Sequence, residues 1–208
     1  TQGRTKTMIR VDFHMHTSYS SDASINPKQV VDTLYAHPTI VGVAITDHDT
    51  LEGYFQVRKL AQVYEDLLII PGVEVTTRQG DLILLGIEEK PSYMSTLEDA
   101  VDFATERAAL IVIPHPYRVS GIGDVAEKTP AHAVEIMNPW ATPTENKLAE
   151  KLAQARNLPG VAGSDAHKPE QMWTAYTEVD AEPDVSSVLN AVKNGRVKAV
   201  STRHYLNV

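Results

Sequence analysis

The stretch VDFHMHTSYSSD, Val11 to Asp22, places two histidines one residue apart where a short apolar run gives way to a polar loop. Residues i and i+2 of a β-strand point to the same face, so in a strand the imidazoles of His14 and His16 would converge on one point. Such a pair is either half of a metal site or a chance feature of a polar strand face. The rest of the sequence has to distinguish these two interpretations.

The composition limits the kinds of metal site and partner to consider. The 208 residues are 42% hydrophobic and 22% charged, which is typical of a soluble globular protein, and we expect one domain spanning 1–208. Cysteine is absent, so any metal must bind His, Asp, Glu and water, a set that suits zinc, manganese or iron. The net charge of −8 argues against a broad basic surface for duplex nucleic acid.

The hydropathy pattern gives no sign of a membrane protein. No apolar run reaches the roughly 18–20 residues of a membrane span, and the segment TQGRTKTMIR lacks the apolar core of a signal peptide. We therefore expect a cytoplasmic protein with no membrane association and no obligate protein partner. Residues 1–8 are expected to lie outside the folded domain.

Apolar runs and amphipathic helical patterns alternate along the chain. The sequence predicts strands over 9–14, 40–49, 67–77, 81–88, 109–116, 132–138, 160–167, 174–180 and 198–201. It predicts helices over 26–37, 51–66, 96–108, 144–157 and 185–195, the first capped by Asn26 with Pro27 in its first turn. This alternation favours an α/β fold. About seven repeats favour a closed barrel, with a doubly wound open sheet as the alternative.

Ionisable side chains gather where the predicted strands end. These residues are His14, His16, Asp47, His48, Asp49, Glu74, His115, Asp165 and His167. The C-terminal ends of parallel strands converge on the active site of such folds, and separate capping or turn roles would not place all of these residues there. The joint pattern therefore predicts a metal site at the C-terminal ends of the strands. The remaining histidines, His37, His132 and His204, are expected to be surface or structurally satisfied residues.

Five motifs carry a resemblance to a known family. Together DFHMHTSYSSD, ITDHD, PGVEV, IPHP and AGSDAH resemble the PHP (polymerase and histidinol phosphatase) superfamily of metal-dependent phosphoesterases. The resemblance runs from about Val11 to Gly195. It implies a distorted, TIM-like (β/α)7 barrel and two or three divalent metal ions, commonly zinc, manganese or iron.

The resemblance also implies a role for each candidate ligand. The first metal would be held by His14, His16, Glu74 and Asp165. Glu74 would bridge to a second metal, whose other ligands are His115 and one further residue. The third metal would lie between Asp22, His48 and His167.

The second metal position departs from the family pattern. Many members have a histidine in a stretch like GHLLALGI, whereas this chain reads GDLILLGI and places Asp81 there. A carboxylate binds manganese or iron well and zinc acceptably, so we expect Asp81 to be a ligand. Its shorter reach leaves occupancy by two metals as the alternative.

The expected reaction is hydrolysis of a phosphate ester. A metal-bridging hydroxide, held by Glu74, Asp165 and His115, would attack phosphorus directly. The expected substrate is a small phosphomonoester or a short nucleotide, with a short oligonucleotide also allowed.

Several further residues near the strand ends are expected to support this reaction. The candidate substrate-binding residues are Arg118, Asn138 and Lys168, with Asn138 alternatively positioning the ligands. Asp47 is expected to orient His48 or to cap the following helix. Trp140 and Trp173 are expected to be packing residues, with base stacking as the alternative.

Three other functions remain open at this stage. A 5′–3′ exonuclease or nucleic-acid processing nuclease would use the same metal chemistry. An amidohydrolase-like enzyme would cleave C–N bonds, although such sites usually carry a bridging lysine or a different carboxylate pattern that this sequence lacks. A binding module with an inactive site is disfavoured, because almost every ligand position holds a competent residue.

Overall fold

A computed structural model describes residues 8–89 and 92–202. The strands are β1 (Met8–Met15), β2 (Gly42–Ile45), β3 (Leu68–Thr77), β4 (Gly80–Leu85), β5 (Leu110–Ile113), β6 (Ala133–Met137), β7 (Gly160–Ala162), β8 (Ala175–Asp180) and β9 (Val197–Ser201). The α-helices are α1 (Pro27–Ala36), α2 (Glu52–Ala61), α3 (Leu97–Glu106), α4 (Pro143–Arg156) and α5 (Val185–Lys193). Met8, the last residue expected to lie outside the domain, begins β1, and residues 1–7 fall outside the described residues.

The described strands form one curved sheet in the order β7-β6-β5-β4-β3-β2-β1-β8-β9. The segment after β7 returns to β1, where Asp165 N–H donates to His14 O (2.7 Å) and His16 N–H donates to Ala166 O (3.0 Å). These bonds bring the two ends of the β1–β7 arc together at the C-terminal edge. The TIM-like barrel prediction is therefore confirmed, and the open doubly wound sheet is wrong.

The barrel is distorted because its strands do not all run parallel. β1, β2 and β3 pair in parallel, as do β5, β6 and β7, but β4 is antiparallel to both of its neighbours. The short turn at Arg78–Gln79 forces this reversal, since two residues can join only antiparallel strands. β8 and β9 extend the sheet beyond β1 as antiparallel strands, so nine strands are described rather than seven.

Helix ends follow local signals where these exist. Asn26 accepts a hydrogen bond from Lys28 N–H, and α1 begins at Pro27 as predicted. The prediction for α2 was too long, because the helix ends at Ala61 and the chain turns there, with Tyr64 N–H donating to Ala61 O.

Both faces of the sheet are buried. Val73 and Leu84 pack in a cluster with residues of α1, α2 and α3, whereas Ile70 and Leu85 pack in a second cluster with residues of α5. Glu74 has the same strand parity as Ile70, so β3 carries it to the C-terminal end of that second face. No helix within the described ranges is long and apolar enough to cross a membrane.

Candidate metal centre

β1 brings two imidazole nitrogens to one point. The Nε2 atoms of His14 and His16 are 3.1 Å apart, and both rings are fully buried. The Nδ1 atom of His14 lies 3.0 Å from Glu135 Oε1, an acceptor, which places the proton of a neutral His14 on Nδ1. The Nε2 lone pair of His14 then faces the shared point.

Two carboxylates from β3 and from the end of β7 complete this group. Glu74 Oε2 lies 3.2 Å from His14 Nε2 and 3.1 Å from His16 Nε2. Asp165 Oδ1 lies 3.3 Å from His14 Nε2 and 3.4 Å from His16 Nε2. The structure thus brings together the four residues predicted to hold the first metal.

Glu74 also reaches a second group of residues. Its other oxygen, Oε1, lies 3.1 Å from His115 Nε2, so one carboxylate faces His14 and His16 on one side and His115 on the other. Two of the candidate ligands, His115 and Asp165, have left-handed backbones, with φ values of +23° and +48°. Non-glycine residues rarely adopt such values, and strain of this kind concentrates at functional sites.

The three predicted ligands of the third metal also lie together, nearer the surface. Asp22 Oδ2 is 3.3 Å from His167 Nε2 and 3.7 Å from His48 Nε2. The His16 ring lies 4.1 Å from the His167 ring and 4.7 Å from the His48 ring, centroid to centroid. Asp22 is half-exposed, so this end of the cluster is open to solvent.

These groups meet in one cavity of about 160 Å³. Its lining residues are Asp22, His48, Glu74, Asp81, His115, Arg118, Ser120, Asp165 and His167. Asp81 therefore faces the same space as six other candidate ligands, whereas His14 and His16 are not among the residues that line it. Burial, together with the negative charge of Glu74, raises the pKa of Asp81 to about 6.

The three candidate substrate-binding residues lie in different surroundings. Arg118 lines the cavity, and its Nη1 donates to Asp165 Oδ2 at 2.7 Å. Asn138 is buried, and its Nδ2 donates to Asp165 Oδ2 and to Glu135 Oε2, which matches the positioning alternative. Lys168 is exposed and is not among the residues that line the cavity.

Sequence reasoning missed Glu135 on β6. Besides His14 Nδ1, it accepts hydrogen bonds from His115 N–H (2.9 Å) and Asn138 Nδ2 (3.0 Å). It is almost fully buried and supports two candidate ligands at once. Its signal was a single carboxylate inside the apolar strand pattern HAVEIMN, because a buried charge in a core strand requires a partner.

The expected role of Asp47 was wrong. α2 has Leu51 at its N-cap with no side-chain cap, and Asp47 instead accepts hydrogen bonds from the loop after β1. Its donors are Thr17 N–H (2.6 Å), Thr17 Oγ1 (2.7 Å) and Ser20 Oγ (2.8 Å). The helix start therefore lacks this cap, and the carboxylate fixes the Thr17–Ser20 turn.

The residues expected to be structural lie apart from the cavity lining. His37 Nδ1 accepts from Ile40 N–H and His132 Nδ1 accepts from Ile111 N–H, whereas His204 lies outside the described residues. Trp173 is partly buried, packs against the core and donates from Nε1 to Thr33 Oγ1, as expected of a packing residue. Trp140 Nε1 donates to Ser164 O, and the ring lines a neighbouring cavity beside Arg118 and His167.

The buried carboxylates of the cluster stabilise positive charge on their neighbours. Burial lowers the pKa of His16, but hydrogen bonds to Asp165 and Glu74 outweigh it and raise the pKa to about 9. Burial likewise disfavours the charged forms of Glu74 and Asp165, yet the neighbouring histidines hold both pKa values well below the ordinary range. The described cavity lining holds four carboxylates and only one guanidinium.

The donor set fits divalent metals. Three groups of side chains each bring their ligand atoms within 4.8 Å of one another. They are His14–His16–Asp165, His14–Glu74–His115 and His16–His48–His167. His115 Nδ1 is also buried without a hydrogen-bond partner in the described part of the chain. Imidazole and carboxylate donors together are the set that zinc, manganese and iron accept.

Two family profiles match the sequence of this chain. The PHP domain profile matches residues 12–158, and the PHP-associated profile matches residues 143–197. An uncharacterized protein of Methanocaldococcus jannaschii is 30% identical over 178 residues, covering 81% of this chain and 69% of that protein.

Two solved structures share the fold. A two-domain protein of Bacteroides vulgatus, containing a predicted PHP-like metal-dependent phosphoesterase, superimposes with a TM-score of 0.81 at 22% identity. The match covers 94% of this chain, which spans only 65% of that one. An amidohydrolase of Chromobacterium violaceum with bound sulfate and no metal gives a TM-score of 0.65 at 18% identity, covering 90% and 97% of the two chains. With its profile matched over residues 12–158 and its five motifs gathered around one cavity, the chain belongs to the PHP domain family.

Proposed function

We propose that the protein is a metal-dependent phosphoesterase acting on a small phosphomonoester or a short nucleotide. The observation that carries this proposal is the position of Glu74. One of its oxygens faces His14 and His16, and the other faces His115. A carboxylate with ligand groups on both sides is suited to bridging two cations, the arrangement that two-metal phosphoester hydrolysis requires.

The residues that would hold the metals are the candidate ligands predicted from the sequence. The inner positions would use His14, His16, Glu74, Asp165, His115 and Asp81. The outer position would use Asp22, His48 and His167. When bound, zinc, manganese or iron ions would lower the pKa of a water at Glu74, Asp165 and His115 and neutralise the phosphoryl oxygens.

Arg118 is suited to bind the phosphate. One of its nitrogens holds Asp165 Oδ2 at 2.7 Å, and the side chain lines the cavity. A guanidinium has five N–H donors, so the others are available to phosphoryl oxygens in a fork geometry. Arg118 would thus orient Asp165 and the substrate together. Asn138 would support the same carboxylate from the buried side, and Lys168 would act from the rim.

The size and charge of the site support a small substrate. The cavity of about 160 Å³ adjoins another of about 290 Å³, which shares Asp22, Arg118, Asp165 and His167 and adds Trp140 and Gln171. The first would take the phosphoryl group and the second its leaving group. The net charge of −8 disfavours a long nucleic acid, which argues against the exonuclease alternative.

A second candidate is hydrolysis of a C–N bond. It is favoured by the fold shared with the amidohydrolase of Chromobacterium violaceum.

Hydrolysis of p-nitrophenyl phosphate by protein loaded with zinc or manganese tests the proposal. We expect metal-dependent release of p-nitrophenol and a loss of at least about 10²-fold in His14→Ala and in Asp165→Ala, since each removes a ligand. His37→Ala is the matched control, because it removes a histidine outside the cluster. Full activity in both ligand variants would refute the metal assignment.

Substrate competition separates the remaining candidates. The loaded protein should turn over nucleoside monophosphates or sugar phosphates faster than labelled single-stranded oligonucleotides or N-acyl amides. Preference for the oligonucleotide would favour the nuclease, and preference for the amide would favour the amidohydrolase. Absence of any turnover with metal bound would favour the inactive module.

A further inference from the structure

Ser20 forms a hydrogen-bonded link between His16 and a carboxylate that does not face the metal cavity. Its Oγ lies 2.8 Å from Asp47 Oδ1, 3.2 Å from His16 Nδ1 and 3.0 Å from the backbone N of His48. The side chains of Ser20, Asp47 and His16 are all buried. The link therefore lies in a region where an unmade hydrogen bond is costly.

The chemistry of a hydroxyl fixes the direction of each bond in this link. A carboxylate only accepts, so Ser20 must give its single proton to Asp47. The hydroxyl then has two lone pairs, and the backbone N–H of His48 takes one of them. Because that single proton is already given to Asp47, the 3.2 Å contact between Ser20 Oγ and His16 Nδ1 is a hydrogen bond only when Nδ1 carries the proton.

This direction determines what a neutral His16 offers to the cavity. With the proton on Nδ1, the lone pair is on Nε2, which lies 3.1 Å from both His14 Nε2 and Glu74 Oε2. Glu135 sets the same tautomer in His14 by a direct contact of 3.0 Å with Nδ1. The tautomers of the two histidines at the end of β1 are thus set by different carboxylates. Glu135 contacts His14 directly, whereas Asp47 acts on His16 through Ser20.

We infer that Ser20 and Asp47 are positioning residues for the metal centre: the Asp47–Ser20 link holds His16 in the Nδ1–H tautomer, which leaves the lone pair of Nε2, beside Glu74 Oε2, free to bind a metal. The inference rests on the proposed function only in taking His16 as a ligand. Partners of this kind typically change metal affinity by 10- to 100-fold when removed. Asp47 also holds Thr17 through two hydrogen bonds, so the turn that carries Ser20 is fixed by the same carboxylate.

The test uses zinc-loaded protein, which is diamagnetic, and two measurements that need no substrate. The first is the zinc dissociation constant by competition with a chelator. The second is the Nδ1–H signal of His16 and His14 in ¹⁵N-labelled protein. In Ser20→Ala we expect zinc to bind 10- to 100-fold more weakly. We also expect the His16 Nδ1–H proton to exchange with water too fast to detect, while the His14 signal persists.

The controls separate positioning from general damage. Ser18→Ala removes an exposed hydroxyl from the same turn and should change neither measurement. Asp47→Ala should reproduce the Ser20→Ala result, because it removes the oxygen that accepts the hydroxyl proton, and Ser20 can then donate to His16 Nδ1 instead of accepting from it. Unchanged zinc affinity and an unchanged His16 signal in Ser20→Ala would overturn the inference. Equal loss of the His14 and His16 signals would overturn it too, since that would indicate collapse of the site.

A phosphatase assay that fails on wild-type protein would refute the proposed function without affecting these two measurements.

Discussion

At the scale of single residues, Glu135 shows how a buried side chain can act on the centre without facing its cavity. It accepts hydrogen bonds from His14 Nδ1, from the backbone N–H of His115 and from Asn138. A carboxylate behind a histidine ligand fixes the ring orientation and raises the basicity of the ligand nitrogen.

Glu135→Gln should weaken metal binding by about 10- to 100-fold. The amide keeps the shape of the side chain but loses its charge and one acceptor oxygen, so His14 and His115 cannot both be satisfied. Isothermal titration with zinc measures the effect. Glu150→Gln, an exposed change on α4, should leave zinc affinity unaltered, and an equal loss there would refute a specific role for Glu135.

We expect the number of bound metals to depend on Asp81. Asp81→Ala should reduce the bound metal by one equivalent, because it removes a carboxylate that lines the same cavity as Glu74 and His115. Asp81→His should retain that equivalent, since it restores the histidine of many family members. Metal content by mass spectrometry measures both. Unchanged content in Asp81→Ala would show that the carboxylate is not a ligand.

The candidate inner ligands could be predicted from the sequence, whereas among their supporting partners the sequence indicated Asn138 but not Ser20. His14, His16 and Asp165 stand at strand ends, and strand ends meet in a barrel whatever the side chains around them. The role of Ser20 depends on how one loop folds against Asp47, 27 positions along the chain. No local pattern encodes that contact, so Asp47 was assigned to the wrong partner.

At the scale of secondary-structure elements, the site depends on the approach of β7 to β1. Gly163 follows β7, and a Cβ atom at this position would overlap the backbone and Cβ of His14. The absence of a side chain therefore allows the two ends of the barrel to meet and sets the position of the candidate ligand His14.

Gly163→Ala should destabilise the protein by about 1–3 kcal/mol, the usual cost of overpacking. It should also weaken zinc binding, because the added methyl displaces His14. Urea unfolding and zinc titration measure the two effects. Gly123→Ala is the matched control: its Cβ meets no atom within 4 Å, so it should cost only the roughly 1–2 kcal/mol of its left-handed backbone and leave zinc affinity unchanged. Equal zinc affinity in the two variants would contradict this account.

Element boundaries were predicted less well than element types. The β3–β4 hairpin followed from the turn at RQG, and α1 followed from its Asn26–Pro27 start. Strands β2 and β7 were predicted too long, because the polar residues that follow them belong to the loops of the site. β8 and β9 were predicted as strands. Their antiparallel pairing, β8 with β1 and β9 with β8, depends on tertiary contacts that the local sequence does not encode.

At the scale of the whole molecule, folding gathers negative charge that metals would neutralise. Glu74, Asp165 and Glu135 are almost fully buried close to one another, and burying a charge is costly unless it is compensated. Ligands that bind only the folded state stabilise it, by about 2.7 kcal/mol at a concentration of 100 times the dissociation constant.

Chelation should therefore lower the melting temperature, and added zinc should restore it. For a domain of about 200 residues we expect a shift of several degrees, since 1 kcal/mol corresponds to about 2–4 °C. Calorimetry with and without chelator measures it, and His14→Ala should show a smaller shift. A melting temperature that does not respond to zinc in wild-type protein would argue against a metal within the core.

The central claim is that one cluster at the C-terminal ends of the strands binds catalytic metals. Anomalous X-ray diffraction from crystals of the zinc-loaded protein, recorded at the zinc absorption edge, tests it most directly. We predict one peak bounded by His14, His16, Glu74 and Asp165, and a second that shares Glu74 and contacts His115. Zinc peaks only at other places on the protein, with none beside Glu74, would contradict the claim.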